Sequence, residues 1–142
     1  MQTVIGKTSS SNQDKNDCTV RCLANLTDLT YDDAKELLAS ARKSDKRGAS
    51  ASSFVPLYRD LGIRPVATLG TTNQATWMEH LFPNKFKGMT VNSFMQRCNK
   101  NRSYAIMVKG HIFAVVNGVI HDKVSWDTLR NMRVTAYFVK EN

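Results

Sequence analysis

At 142 residues the chain is long enough for one domain with a hydrophobic core and short for two. Its 42% hydrophobic and 23% charged residues are the balance of an ordinary globular protein, which excludes fibrous and wholly disordered classes. A net charge of +8 points toward acidic partners, and the absence of an apolar run near the roughly 18 residues of a membrane span predicts no membrane partner.

In chain order, residues 1 to 16 are polar and read as an irregular arm, with no apolar leader, so a cytoplasmic protein is expected. Asn16 or Asp17 caps a helix over Cys18–Leu26, where apolar residues recur at helical spacing. Thr30 and Asp33 resemble a capping box and open a second helix, Tyr31–Arg42, with Ala34, Leu37, Leu38 and Ala41 as its buried stripe. Lys43–Ser50 reads as a charged loop. Ser52 or Ser53 starts a third helix that Gly62 stops after Leu61, with Pro56 tolerable only in its first turn. Arg64–Ala67 forms a short strand, Thr76–Glu79 opens one helical turn, and Thr90 caps a helix over Val91–Cys98 with Val91, Phe94 and Met95 on one side.

The last third is strand-like: Tyr104–Val108, His111–Val116, Val119–Val124 and Val134–Val139. Asn117-Gly118 predicts a two-residue type I′ hairpin. Helices followed by a run of antiparallel strands define an α+β fold in a single domain over 1–142, with 1–15 as the arm.

That turn sets a register in which Val116 faces Val119, Ala114 faces His121, Phe113 faces Asp122 and Ile112 faces Lys123. Asp122 then lies diagonally across from His111 on one face, and His121 falls on the other. An imidazole beside a carboxylate has its tautomer fixed and is a ready general base. Gly110, directly before His111, permits a close backbone approach. Cys18, at the first turn of a helix, is where the dipole and free N–H groups favour the thiolate. A cysteine with a His–Asp pair is the composition of a nucleophile, its base and an orienting acid. The Cys18 N–H, with the side-chain amide of Gln13, Asn12 or Asn16, would form an oxyanion hole.

The remaining candidates read as structural. Cys22 and Cys98 sit on apolar helix faces, His80 and His121 are ordinary partly buried histidines, and Trp77, Trp126 and Phe94 are core or cleft walls. Three cysteines leave one over in any pairing, and the spacing lacks a C-x-x-C ligand pair, so neither a disulfide framework nor a metal or other cofactor is expected. The basic residues are dispersed and lack interleaved aromatics, which reads as a solvated basic surface; Lys100–Arg102 reads as a solvated turn, and nucleic acid stays open as a partner.

The blocks Asn16–Ala24, Thr30–Ala34 and Gly110–Asp122 resemble small bacteriophage proteins with a minimal papain-like domain, near the bacteriocin-processing double-glycine cysteine peptidases. The resemblance implies a papain-like fold in which N-terminal helices carrying the cysteine pack on a C-terminal antiparallel sheet carrying His and Asp. Carried onto this chain, Cys18 is the nucleophile, His111 the base and Asp122 the orienting residue. It implies a phage-encoded thiol hydrolase acting on a peptide, isopeptide or thioester bond of a host protein in the bacterial cytoplasm. The spacing departs from the papain pattern at the oxyanion residue: Asn12 holds the usual position and Gln13 is one residue nearer. The alternative is a catalytically silent module on the same fold that occupies a host protein or nucleic acid through its basic surface.

Overall fold

The computed structural model describes residues 2–7, 17–41, 51–68 and 89–141. In chain order they form β1 (Thr3–Val4), α1 (Cys18–Leu26), α2 (Tyr31–Ala41), α3 (Ala51–Asp60) and β2 (Ile63–Thr68). Then follow α4 (Val91–Arg97), β3 (Tyr104–Val108), β4 (His111–Val116), β5 (Val119–His121), α5 (Trp126–Leu129) and β6 (Ala136–Lys140). The class is α+β. The loop over 43–50, the turn over 76–79, His80, Trp77 and the amides of Asn12, Gln13 and Asn16 lie outside the described residues.

The six strands make one sheet in the order β1-β5-β4-β3-β6-β2. It is mixed rather than antiparallel, because β1 runs parallel to β5 while every other pair is antiparallel. The segment expected to be a free arm therefore supplies an edge strand. It is tied down beyond its two paired residues: Lys7 N donates to Asn25 Oδ1 (2.8 Å), and Lys7 Nζ reaches the carbonyls of Thr27 (3.1 Å) and Leu29 (2.8 Å) just past α1. A cation at a helix C-terminal end satisfies carbonyls that have no intrahelical donor.

The turn residues Asn117 (φ 50°) and Gly118 (φ 82°) both adopt positive φ, as a type I′ turn demands, and the pairs Val116–Val119 and Ala114–His121 form as expected. The ladder ends there. Asp122 accepts its successor's N–H at Oδ1 (Lys123 N, 2.8 Å), which bends the chain away, so the expected Phe113–Asp122 and Ile112–Lys123 pairs are not made. The backbone of Asp122 instead donates to Val4 O at 2.7 Å.

Both faces of the sheet are covered, which explains why β3, β4 and β6 read as continuous apolar runs rather than alternating ones. On one face Leu23, Leu38, Phe54 and Tyr58 from α1–α3 pack on Ala105, Ile112, Ala114 and Phe138. On the other, Val91, Phe94, Met95 and Leu129 pack on Tyr104, Ile106, Phe113, Val115 and Tyr137. The rings meet edge to face, as in Phe94–Tyr104 at 5.3 Å and Tyr58–Phe138 at 5.9 Å. Burying each such ring stabilises by about 2–3 kcal/mol over leaving it exposed.

Several local expectations shift. Thr30 caps α2 through Asp33 N (3.1 Å), but the buried stripe is Tyr31, Ala34 and Leu38, and Leu37 lies at its solvent edge, 38% exposed. Pro56 sits in the second turn of α3, which begins at Ala51. Strand β6 starts two residues later than expected: Val134 N bonds Met89 O (2.8 Å) outside the sheet, and Thr135 N bonds Met107 O of β3 (2.8 Å). Lys100 is not free in solvent: its ammonium bonds the Met95 carbonyl and approaches Cys98 Sγ at 3.6 Å. Gly110 has a φ of +74° and open space where a Cβ would be, so it serves the turn rather than a close approach.

Candidate active site

Helix α1 starts at Cys18 because Asp17 leaves the helical region (φ −101°, ψ 14°) while its carbonyl accepts Arg21 N at 2.9 Å. Asp17 does not cap through its side chain. Its Oδ2 instead accepts from Tyr31 Oη (3.0 Å) and lies 3.8 Å from Lys123 Nζ, linking the helix start to α2 and to the chain after β5. Farther along, Tyr58 Oη donates to Thr19 O at 2.6 Å, which fixes the first turn from α3.

Cys18 is partly exposed, with the His111 imidazole near enough to act on its thiol. Burial alone would raise this thiol. The His111 hydrogen bond, a backbone bond from Ile112, the His111 charge and a backbone bond from Thr19 outweigh it and set the thiol below its ordinary value. His111 Nε2 in turn lies 2.6 Å from Asp122 Oδ2. Burial pulls the imidazole down. The Asp122 hydrogen bond, then the Cys18 bond and both charges, carry its pKa up to about 9. Each group thus favours the charged form of the other, thiolate beside imidazolium.

Strand faces alone do not predict this meeting. Alternation puts His111 with Phe113, whose ring it stacks on at 6.0 Å, on the face opposite α1, whereas Ile112 and Ala114 face α1. His111 is the first residue of β4, directly after the Lys109-Gly110 turn and paired with Val108. Asp122 likewise lies just past β5 rather than in it. His121, paired with Ala114, stays apart from the site, and burial lowers its pKa.

Asp122 is 2% exposed and uses both oxygens: Oδ2 for His111, Oδ1 for Lys123 N and for Arg21 Nη1 at 3.6 Å. Arg21 is itself buried, and its Nη2 donates to Ile5 O at 3.0 Å. Arg21 is not among the residues that the sequence singles out. The available signal was a cation three residues after Cys18 on the same face of an otherwise apolar helix. Cys22, one turn on, is buried; burial drives its thiol strongly upward despite a hydrogen bond with Tyr58. Burial also raises Cys98, against Lys100.

The candidate oxyanion amides, Gln13 and Asn12, lie outside the described residues. Among the described residues no group of three or more His, Cys, Asp or Glu is placed to hold a metal ion, and no helix is long and apolar enough to cross a membrane. A cleft of about 590 Å³, lined by Leu26, Thr27, Val116 and Lys140 among others, lies at the far end of α1. At 1.5 Å rise per residue, Leu26 is about 12 Å along the axis from Cys18, so this cleft is not the thiol's surroundings. No protein-family model matches the chain, and neither a curated protein nor a solved structure matches it.

Proposed function

We propose that the protein is a thiol hydrolase of papain-like type, with Cys18 as nucleophile, His111 as base and Asp122 as the group that orients the base. The observation that supports this reading is the His111 Nε2–Asp122 Oδ2 contact at 2.6 Å, beside a Cys18 thiol that His111 helps to lower. In this mechanism the Cys18 thiolate attacks the carbonyl carbon of a peptide, isopeptide or thioester, forming a carbon–sulfur bond. His111 gives a ring proton to the departing nitrogen or sulfur as the bond between that atom and the acyl carbon breaks. A water then loses a proton to His111, attacks the acyl carbon and frees the thiol. Asp122 remains a carboxylate throughout and holds the ring. The Cys18 N–H at the helix start is one donor for the oxyanion, with Gln13 or Asn12 as the second. By the family resemblance, the enzyme is phage-encoded and works on a protein of the bacterial host.

An activated acyl ester such as p-nitrophenyl acetate tests the proposal. The wild type should give a burst of p-nitrophenol, an acetyl adduct on Cys18 visible by mass spectrometry, and decay of that adduct with turnover. Cys18→Ala should abolish the adduct. Absence of any adduct in wild type, together with a stoichiometric host partner captured equally by Cys18→Ala, would favour the binding-module alternative instead.

A further inference from the structure

Arg21 is the one buried cation touching the candidate triad from the helix that carries the nucleophile. It lies three residues after Cys18, so the two share a helical face, and it is 4% exposed. A buried guanidinium is costly unless its donors are used. Here one arm is fixed by the Ile5 carbonyl (Nη2, 3.0 Å) and the other faces Asp122 Oδ1 (Nη1, 3.6 Å), while Nε finds no partner among the described residues. Asp122 is thus gripped on its Oδ1 side by Arg21 and by Lys123 N–H, which turns Oδ2 toward His111. The Ile5 carbonyl belongs to the N-terminal strap, whose Val4 carbonyl also accepts the Asp122 N–H at 2.7 Å.

We propose that Arg21 is a positioning residue: braced on the N-terminal strap, it holds Asp122 Oδ1 so that the other oxygen orients His111 toward Cys18. The helix that carries the nucleophile thereby also sets its base. This rests on the hydrolase reading for its chemical consequence, but the positioning itself can be read without it. The charged and titratable groups around His111 are Cys18 from α1, Asp122 after β5, and, through Asp122, Arg21; Lys123 is turned to Asp17.

The test follows the His111 Nε2–H proton by NMR in full-length wild type, Arg21→Met, Arg21→Lys and the control Tyr58→Phe, which loses a different hydrogen bond to α1. A downfield, exchange-protected resonance is expected in wild type and Tyr58→Phe. It should be lost in Arg21→Met and weakened in Arg21→Lys, which keeps the charge but not the two-armed grip. Iodoacetamide labelling of Cys18 at pH 6 should slow about tenfold in Arg21→Met, as when a thiol's pKa climbs by one. A wild-type His111 resonance in whichever Arg21 variants fold overturns the proposal. Loss of that resonance in Arg21→Met, with a wild-type Cys18 no more reactive than Cys22 and Cys98, supports the positioning and overturns the hydrolase reading.

Discussion

His111 Nε2 stands 2.6 Å from Asp122 Oδ2, joining the first residue of β4 to the residue that leaves β5. His111 opens one strand of the hairpin and Asp122 directly follows the other, so a local turn delivers base and carboxylate together, and only the cysteine must arrive from a distant part of the chain. Replacing the carboxylate by an amide isolates its charge. Asp122→Asn should bring the His111 pKa down from about 9 toward the ordinary 6.5, since the aspartate supplies the largest upward contribution. An NMR titration of the imidazole checks this, and an unmoved midpoint would remove Asp122 from the triad.

Stability should depend on pH with a sign set by the same pair. The folded state binds the His111 proton more tightly than the unfolded chain, about 9 against 6.5. Its contribution is therefore full below pH about 6.5 and lost as pH rises through the folded value. The Cys18 thiol is depressed, so its contribution has the opposite sign: present above the ordinary thiol value and lost as pH falls through the lowered one. Cys18→Ser removes the second effect while the Asp122 bond keeps the His111 pKa raised. Its Tm should fall as pH rises above 6.5, and the further change Asp122→Asn should flatten that slope.

The strap is testable at Gly6, which has a φ of +67° and no room for a side chain. A Cβ there would come 2.5 Å from Asn25 Oδ1 and 2.8 Å from His121 Nδ1. Gly6→Ala should cost about 1–3 kcal/mol from backbone strain, with the steric clash added. Because Ile5 braces Arg21, it should also slow Cys18 labelling. Denaturant unfolding and labelling measured on the same protein separate the two effects.

The hairpin offers a second backbone test. Asn117→Ala with Gly118→Ala puts Cβ-bearing residues of low αL preference at two positive-φ positions, and a Cβ at Gly118 meets Lys100 Cδ at 2.9 Å. We expect a loss of about 2–4 kcal/mol and weakened hydrogen-exchange protection across Val115, Val116, Val119 and Ile120.

The contrast between turn and tail explains how much was legible in the sequence. Asn117-Gly118 encodes its geometry in two residues, so the pairing of Ala114 with His121 could be worked out beforehand. The same extrapolation failed one step later, where the Asp122 side chain takes Lys123 N–H and ends the ladder. A side chain capturing its own backbone is a local competition that periodicity does not register. Thr3–Val4 was hidden for a related reason: a two-residue edge strand carries no alternation, and its pairing depends on β5 being ready to receive it. Arg21 was missed because composition treats an arginine as surface, and only tertiary contact reveals what it faces. The α+β class and the His111–Asp122 pair were accessible because each rests on a strong local signal: helices followed by strands, and a hairpin turn with residues at strand ends.

The rate of Cys18 alkylation by iodoacetamide across pH 5 to 10, resolved thiol by thiol by mass spectrometry, tests the central claim most directly. Cys18 should react faster than buried Cys22 and Cys98 at pH 7, its rate should rise with a midpoint below the ordinary thiol value, and His111→Ala should move that midpoint back up. Three thiols that label alike, or a Cys18 midpoint at the ordinary value and indifferent to His111→Ala, would contradict the activated pair.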